Sequence, residues 1–268
     1  CESLKQINIP SSITKIGFHA FYECKSLMQI TIPSSVISIG YEAFKNCPAL
    51  NNISIPSSVT SIKMYFDPNY SKTKEITIPP VLKINKYEYS DFSSITNVII
   101  PSSVIKIGSG SFYYCTSLMQ VNIPSSVISI GRSAFKYCNS LENVLFDYPS
   151  SLTSIYEYSF CCCKNLKKIS IPNSVTLIGD SAFDCCTSLI EISIPPLVKE
   201  IIFSTFSKCE SLTRIYIPHS VTIIRSHAFS GCKSLSEIHL PSSLIKINYG
   251  SFKDCSSLSQ IKIPSSVT

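Results

Sequence analysis

CKSLMQITIPSSVISIGYEAFKNC, residues 24–47, decides the fold of this chain, because it recurs almost unchanged as CTSLMQVNIPSSVISIGRSAFKYC, residues 115–138. Weaker copies fill the sequence between and beyond these two. Prolines mark the period, which is 23 residues with local steps of 22 and 25: Pro10, Pro33, Pro56, Pro79, Pro101, Pro124, Pro149, Pro172, Pro195, Pro218, Pro241 and Pro264. An internal repeat of about this length is the signature of a solenoid.

One unit of the repeat predicts a short strand followed by a turn. Ile30 and Ile32 lie two residues apart, which is the spacing of a strand with both side chains on one face. Pro33 lacks a backbone donor and is expected to end that strand. Val36 is expected to return to the core, and Gly40 to permit a bend.

Each unit is too short to bury its own apolar side, so we expect the units to stack with identical side chains in columns. Two such columns are Phe21, Phe44, Phe112, Phe135, Phe160, Phe183, Phe206, Phe229 and Phe252, and Leu4, Leu27, Leu50, Leu118, Leu141, Leu166, Leu189, Leu212, Leu235 and Leu258. The prediction is one β-rich solenoid over residues 1–268, with about twelve repeats, little regular helix and one continuous parallel sheet roughly 55 Å long.

The repeated pattern Leu-x-x-Ile-x-Ile-Pro-x-x-Val-x-x-Ile-Gly-x-x-Ala-Phe-x-x-Cys resembles the leucine-rich repeats of the BspA-like type over essentially the whole chain. The resemblance implies a curved leucine-rich-repeat horseshoe or arc. It also implies a cell-surface or secreted protein of a host-associated bacterium or protozoan parasite, with an adhesive rather than enzymatic role. Its partner would be a host protein or glycoprotein or another microbe, and no ligand residues can be carried over.

The composition limits the function classes. Lys and Arg number 23 against 17 Asp and Glu, and this net charge of +6 is too mild to predict nucleic acid as the partner. Charged residues make up only 15% of the chain and apolar ones 44%, which excludes a disordered chain. Apolar runs stay shorter than the roughly 18 residues of a membrane helix, so we expect no membrane insertion in this segment.

The repeat breaks down over residues 63–95, which contain five lysines and several tyrosines. One interpretation is a bulged basic and aromatic patch that a partner contacts, formed by Lys63, Tyr65, Tyr70, Lys72 and Lys74. The other is repeat decay tolerated in an exposed connection. A smaller break is the two-residue insertion Asp147-Tyr148, which is expected to bulge outward.

The outward positions of the predicted strands hold the main candidate site. In the N-terminal half these positions are mostly uncharged and rich in Asn and Gln. The C-terminal half places Glu191, Arg214, Tyr216, Glu237 and His239 within three neighbouring strands. Because Tyr and Arg are enriched at interface hot spots, we expect this cluster to contact a partner. The alternative is a solvated sheet face that has accumulated mixed polar residues.

The cysteines number 13, and ten occupy one repeat column. That column also accepts Tyr70 and Phe92, so it is expected to be buried, with free thiols acting as small hydrophobes. Cys162 and Cys185 stack beside it, and with Cys161 they offer a disulfide or a metal site as an alternative. We expect no metal, since zinc needs four ligands in tetrahedral geometry and no histidine lies near.

Catalytic patterns do not stand out from the repeat. The serines recur in every unit as turn residues, and a regular stack lacks a deep pocket, so we expect neither an enzyme nor a cofactor.

The chain starts without a signal peptide and shows no polar capping repeats, which predicts a segment truncated at both ends, whose exposed ends would allow end-to-end self-association. Three functions remain open: a surface adhesion module, an intracellular scaffold with a protein partner, and a structural spacer.

Overall fold

The computed structural model describes residues 1–40, 43, 44, 47, 49, 50, 52–54, 56, 61, 62, 75–77, 96–100, 102 and 104–268. Among the described residues, most coils carry a strand at the sequence position predicted for it and a second, shorter strand after the turn. The first line of strands is β1 (Gln6–Asn8), β3 (Gln29–Thr31), β5 (Asn52–Ser54), β7 (Glu75–Thr77), β8 (Asn97–Ile99), β10 (Gln120–Ile123), β12 (Asn143–Phe146), β14 (Lys168–Ile169), β16 (Glu191–Ser193) and β18 (Arg214–Tyr216).

The second line of strands was not expected from the sequence. It consists of β2 (Lys15–Ile16), β4 (Ser38–Ile39), β6 (Ser61–Ile62), β9 (Lys106–Ile107), β11 (Ser129–Ile130), β13 (Ser154–Ile155), β15 (Leu177–Ile178), β17 (Glu200–Ile201), β19 (Ile223–Ile224) and β20 (Lys246–Ile247). Each of these strands is only two residues long. The alternation of apolar and polar residues that indicates a strand needs a longer segment, so the pattern contained no signal for this second line.

Pairing is parallel throughout and joins the same repeat position in adjacent coils, as in Ile7 with Ile30 and Ile130 with Ile155. The first line splits into a sheet of seven strands, β1-β3-β5-β7-β8-β10-β12, and one of three, β14-β16-β18. The second line splits into β2-β4-β6, β9-β11-β13-β15 and β17-β19-β20. The chain is therefore a parallel-strand β-solenoid, and the described residues include no helix.

This architecture confirms the predicted fold class, but the single continuous sheet was wrong. The first line breaks between β12 and β14, where Asp147 and Tyr148 are inserted. Tyr148 is 97% exposed, so the insertion does bulge outward. The first-line ladder does not continue from β12 to β14, whereas the second-line strands β11 and β13 pair across the same insertion. The count of about twelve repeats stays a prediction, because residues 63–74 and 78–95 lie outside the described part.

The core is a set of stacked columns, of which the phenylalanine column is the clearest. Neighbouring rings lie nearly parallel, with centroids 4.8 Å apart for Phe112 and Phe135 and 5.6 Å apart for Phe183 and Phe206. The rings of Phe135, Phe160, Phe183, Phe206 and Phe229 are fully buried. Centroid separations of this size are typical of stacked aromatic pairs, which add to the free energy gained from burial alone.

A serine within several of the described turns has a structural role beyond the turn itself. The hydroxyl of Ser126 donates to the carbonyl of Val104 at 2.7 Å, and Ser220 donates to Val198 at 2.7 Å. In each of these pairs the acceptor lies in the preceding coil, 22 residues before the serine. This ladder satisfies a carbonyl that the turn leaves unpaired, and so it fixes the spacing between coils.

In the coils whose turns the structure describes, two residues adopt the left-handed backbone conformation, one two residues before the column phenylalanine and one two residues after it. The non-glycine members have φ between 51° and 65°: His19, Glu23, Tyr114, Ser133, Tyr137, Tyr158, Cys162, Ser181, Cys185, Ser204, Lys208, His227 and Asp254. This conformation costs roughly 1–2 kcal/mol per residue. It turns backbone N–H groups toward the next coil, as Ser181 N–H donates to Phe203 O at 2.9 Å and Cys185 N–H to Ser207 O at 2.8 Å.

The recurring glycine does not provide the bend that we expected at Gly40. Its φ lies outside the left-handed region. Instead, a Cβ at Gly40 would lie 2.6 Å from the backbone carbon of Gly17, and a Cβ at Gly179 would lie 2.5 Å from that of Tyr156. Glycine is needed here because the backbones of adjacent coils come into direct contact.

Replacing these glycines by alanine tests the close approach. We expect Gly179→Ala to lower the free energy of unfolding by about 1–3 kcal/mol, the usual cost of overpacking. Gly17 occupies the same repeat position, but a Cβ placed there would have no atom within 4 Å. Gly17→Ala is therefore the matched control. It is expected to be neutral or to stabilise by up to about 1 kcal/mol. Denaturant unfolding of both variants provides the measurement. An equal change in the free energy of unfolding for the two variants would contradict the close backbone contact at Gly179.

Candidate functional site

The strand face around β16 and β18 brings together three of the predicted contact residues. The strands pair in parallel, with Glu191 opposite Arg214 and Ser193 opposite Tyr216. Alternation along each strand buries Ile192 and Ile215 and leaves their neighbours exposed. The side chains of Glu191, Arg214 and Tyr216 therefore lie on one solvent-facing surface, and Tyr216 is 63% exposed.

Lys168, in β14, belongs to this surface and was missed in the sequence analysis. Its Nζ lies 2.6 Å from Oε1 of Glu191. The hydrogen bond and the charge of Lys168, helped by the charge of Arg214, hold the pKa of Glu191 below its usual value. The signal was present in the sequence, since Lys168 occupies the same repeat position as Glu191 in the preceding coil.

Glu237 and His239 are exposed as expected, but they do not lie on a third strand. The ladder ends at β18, and residues 236–240 form no strand, so that part of the prediction was wrong. Nε2 of His239 lies 3.3 Å from Oε1 of Glu237. At one repeat position, successive coils thus present Lys168, Glu191, Arg214 and Glu237, with alternating charge. We call this set, together with Tyr216 and His239, the strand-face patch.

The second predicted patch, formed by Lys63, Tyr65, Tyr70, Lys72 and Lys74, lies outside the described residues. It therefore stays a prediction. The choice between a partner-binding bulge and tolerated repeat decay over residues 63–95 stays open with it.

A cluster of tyrosines and basic residues, the tyrosine ridge, lies on the turn edge of the middle coils. It consists of Tyr113, Tyr114, Arg132, Lys136, Tyr137 and Tyr158. The rings of Tyr114 and Tyr137 are 4.8 Å apart, and Nζ of Lys136 lies 4.7 Å from the ring centre of Tyr158. The sequence analysis missed this ridge because it examined only the outward strand positions, and the ridge residues lie in the turns.

The cysteine column is a hydrogen-bonded ladder as well as an apolar one. The thiol of Cys186 donates to the carbonyl of Phe160 at 3.2 Å, and Cys209 donates to Phe183 at 3.2 Å. Burial raises the pKa of both thiols well above the usual value and raises that of Cys47 to about 12. All thirteen cysteines are free thiols, and Cys1 is exposed.

Cys161, Cys162 and Cys185 do come together, around the carboxylate of Asp184. The sulfur atoms of Cys161 and Cys162 are 3.6 Å apart, and the thiol of Cys185 lies 3.5 Å from Oδ1 of Asp184. Burial, followed by the charge of Asp184, raises the pKa of Cys185 to about 12, so its nucleophilic thiolate is scarce at neutral pH. Within the described ranges, no group of three or more His, Cys, Asp and Glu side chains has an arrangement suited to a metal ion.

Comparison with known families identifies the repeat. The sequence profile described as "BspA type Leucine rich repeat region (6 copies)" matches residues 1–85, 82–213 and 199–268. No curated protein matches the chain. The part of the chain that the structure describes includes no helix long and apolar enough to cross a membrane.

A solved structure similar to this chain shows the same fold. A leucine-rich repeat protein from Bacteroides ovatus is 29% identical with a TM-score of 0.62, and the match covers 98% of this chain and 82% of that one. A leucine rich cell surface protein from Faecalibacterium prausnitzii is 26% identical with a TM-score of 0.46, covering 96% of this chain and 86% of that one. Leucine-rich-repeat proteins are interaction scaffolds that generally bind proteins and are typically not enzymes.

The buried thiols predict how stability depends on pH. A thiol whose pKa is raised on folding stabilises the folded state fully below the unfolded pKa, and this contribution is lost as pH rises toward the folded pKa. We therefore expect the free energy of unfolding to fall above about pH 9. Cys186→Ser keeps a hydroxyl donor but cannot titrate in this range. The free energy of unfolding of this variant should therefore fall less steeply with pH than that of the parent, by up to about 1.4 kcal/mol per pH unit.

Urea unfolding at a series of pH values between about 8 and 11 provides the measurement. Cys1→Ser, which removes an exposed thiol, is the control and should follow the parent chain. Identical pH dependence in Cys186→Ser and the parent would contradict the raised pKa of Cys186.

Proposed function

The chain belongs to the BspA-type leucine-rich repeat family, and on that premise we propose that it is a protein-binding surface adhesion module. It contacts host cells, matrix proteins or other microbes through the strand-face patch. Its location is the cell surface or the medium outside the cell, which is the setting that the family resemblance implies. The partner is a protein or glycoprotein derived from the host.

The observation that carries this proposal is the exposure of Tyr216 among fixed charges. Tyr216 is 63% exposed on a strand, where its backbone is held by pairing with Ser193. A rigid aromatic side chain provides contact area at a low cost in conformational entropy. Arg214 and Glu191 beside it are held in register by the same strand pairing. Aromatic residues and arginine are the types enriched at the centres of protein interfaces.

The alternating charges of the strand-face patch define the kind of partner. Lys168 and Arg214 are offset by Glu191 and Glu237 at the same repeat position. A partner that carries only one sign of charge would therefore meet repulsion at every second coil. Proteins with mixed charges fit such a surface, and complementary pairing then sets orientation more than affinity.

We would test the proposal by binding of the purified chain to whole host cells and to a panel of immobilised matrix proteins. The test variant combines Arg214→Ala, Tyr216→Ala and His239→Ala. The matched control combines Gln6→Ala, Asn8→Ala and Thr31→Ala, which change outward positions of β1 and β3 in the bland part of the same face. We expect saturable binding by the parent and the control, and a loss of at least tenfold in affinity for the test variant.

Three results would contradict the proposal in different ways. Binding retained by the test variant would exclude the strand-face patch and direct attention to Lys63, Tyr65, Tyr70, Lys72 and Lys74. Equal loss in the control would show a general effect on the fold. Absence of binding to every cell and protein would favour a structural spacer.

An intracellular scaffold is the second candidate, and the free thiols favour it. Thirteen unpaired cysteines are compatible with a reducing compartment, whereas proteins outside the cell usually form disulfides. Localisation of the full-length protein by antibody labelling of intact and permeabilised cells separates the two candidates. Labelling only after permeabilisation would replace the adhesion proposal with the scaffold.

A further inference from the structure

A groove near the C-terminal end of the second strand line carries an inference beyond the strand-face patch. It has a volume of about 340 Å³, at the lower end of the range of small-ligand sites. Its lining includes Asp180, Glu200, Phe203, Arg225 and Asn248. These residues come from four successive coils and lie within β17 or one to two residues after β15, β17, β19 and β20.

The groove lies where two regular features of the solenoid stop. The second strand line is interrupted between β15 and β17. The column that holds Gly131 and Gly179, whose backbones touch the preceding coil, continues as Ile202, Arg225 and Asn248. These three residues carry a Cβ where glycine allows the closest approach. The backbone spacing is kept at two of them, since Arg225 N–H donates to Ile201 O at 2.7 Å and Asn248 N–H to Ile224 O at 2.8 Å, and both residues line the groove.

The polar lining is partly fixed and partly free. Nε and Nη2 of Arg225 both lie 2.8 Å from Oε2 of Glu200, which holds the two side chains in place. In this fully described part of the chain, the side chains of Asp180 and Asn248 make no hydrogen bond or ion pair. The groove thus offers an unused carboxylate and an unused amide, together with the remaining donors of Arg225 and the second carboxylate oxygen of Glu200.

Phe203 lines the groove, and the rings of His227 and Tyr249 extend from it. Phe203 is 47% exposed, and Tyr249 is 78% exposed. The ring of His227 lies between them, with centroids 6.0 Å from Phe203 and 5.4 Å from Tyr249, and meets both edge to face. Exposed rings so close to unpaired polar groups provide an apolar platform beside hydrogen-bonding partners.

This combination points to one class of ligand. Two carboxylates and one guanidinium give the lining a net charge of −1, which disfavours phosphate, sulfate and carboxylate groups. A sugar hydroxyl both donates and accepts hydrogen bonds, so adjacent hydroxyls match a lining of carboxylates, an amide and a guanidinium. The C–H face of a sugar ring is apolar and fits against an exposed phenylalanine. We propose that the groove binds a neutral sugar unit of a glycan.

The test uses the purified chain on a printed array of neutral oligosaccharides built from hexoses and N-acetylhexosamines. The array also carries sialylated and sulfated counterparts, and the hexalysine peptide is tested separately as a cationic probe. Phe203→Ala and Asp180→Ala each remove one part of the groove. Phe18→Ala is the matched control, because Phe18 follows the column glycine at the same repeat position and is 64% exposed.

We expect neutral glycans to bind the parent and Phe18→Ala equally within twofold, and both groove variants to bind at least tenfold more weakly. Thermal unfolding of each variant checks that the fold is kept. Absence of binding to any neutral glycan would overturn the proposal, as would a preference for sialylated or sulfated glycans. Binding of hexalysine without neutral glycans would assign the groove to cations instead.

The groove and the strand-face patch are tested independently. The variant with Arg214→Ala, Tyr216→Ala and His239→Ala leaves every groove residue in place, so its glycan binding should equal that of the parent. Loss of glycan binding in that variant would place the sugar on the strand face and overturn the assignment to the groove. Failure of the adhesion proposal does not affect this comparison.

Discussion

The structure depends on the contact between one coil and the next. A coil of 23 residues has a Leu, a Val, a Phe, a Cys and several Ile facing inward, and it can bury them only against equivalent residues of its neighbours. The stacked phenylalanine rings show this most directly, with centroids 4.8–5.7 Å apart along the column. Every other regular feature follows this spacing. The serine and cysteine ladders satisfy carbonyls between coils, and left-handed residues turn backbone N–H groups toward the next coil.

The same constraint separates the residues that must stay constant from those that can vary. Inward columns are repeated because each member touches its own copy in adjacent coils. Outward side chains contact neighbouring coils through ion pairs, such as Lys25 with Glu2 and Lys233 with Glu210, each 23 residues apart, and through a few threonine hydroxyls. Exposed pairs of this kind contribute little to stability. The outward columns are therefore free to acquire a binding surface, and both the strand-face patch and the groove use positions that vary between coils.

The sequence was sufficient for the period, the inward columns and the outward strand positions, since all three depend on spacing along the chain. Glu191, Arg214 and Tyr216 meet as expected because parallel pairing follows the repeat register. Features that depend on distances between coils were not predictable. The role of Gly40 in backbone contact, the ion pair between Lys168 and Glu191, and the groove at Asn248 require the separation of adjacent coils to be known. Over residues 63–95 most of the repeated residue types are replaced, although Glu75–Thr77 keep the strand register, so the pattern left two interpretations open.

Deleting one ring from the middle of the phenylalanine column tests the central claim most directly. Phe183 is fully buried between Phe160 and Phe206, whereas Phe18 is 64% exposed. Denaturant unfolding should show that Phe183→Ala lowers the free energy of unfolding by about 3–5 kcal/mol, while Phe18→Ala changes it by less than about 0.5 kcal/mol. A loss below about 1 kcal/mol for Phe183→Ala, close to that of the exposed control, would contradict the claim that contact between coils holds the solenoid together.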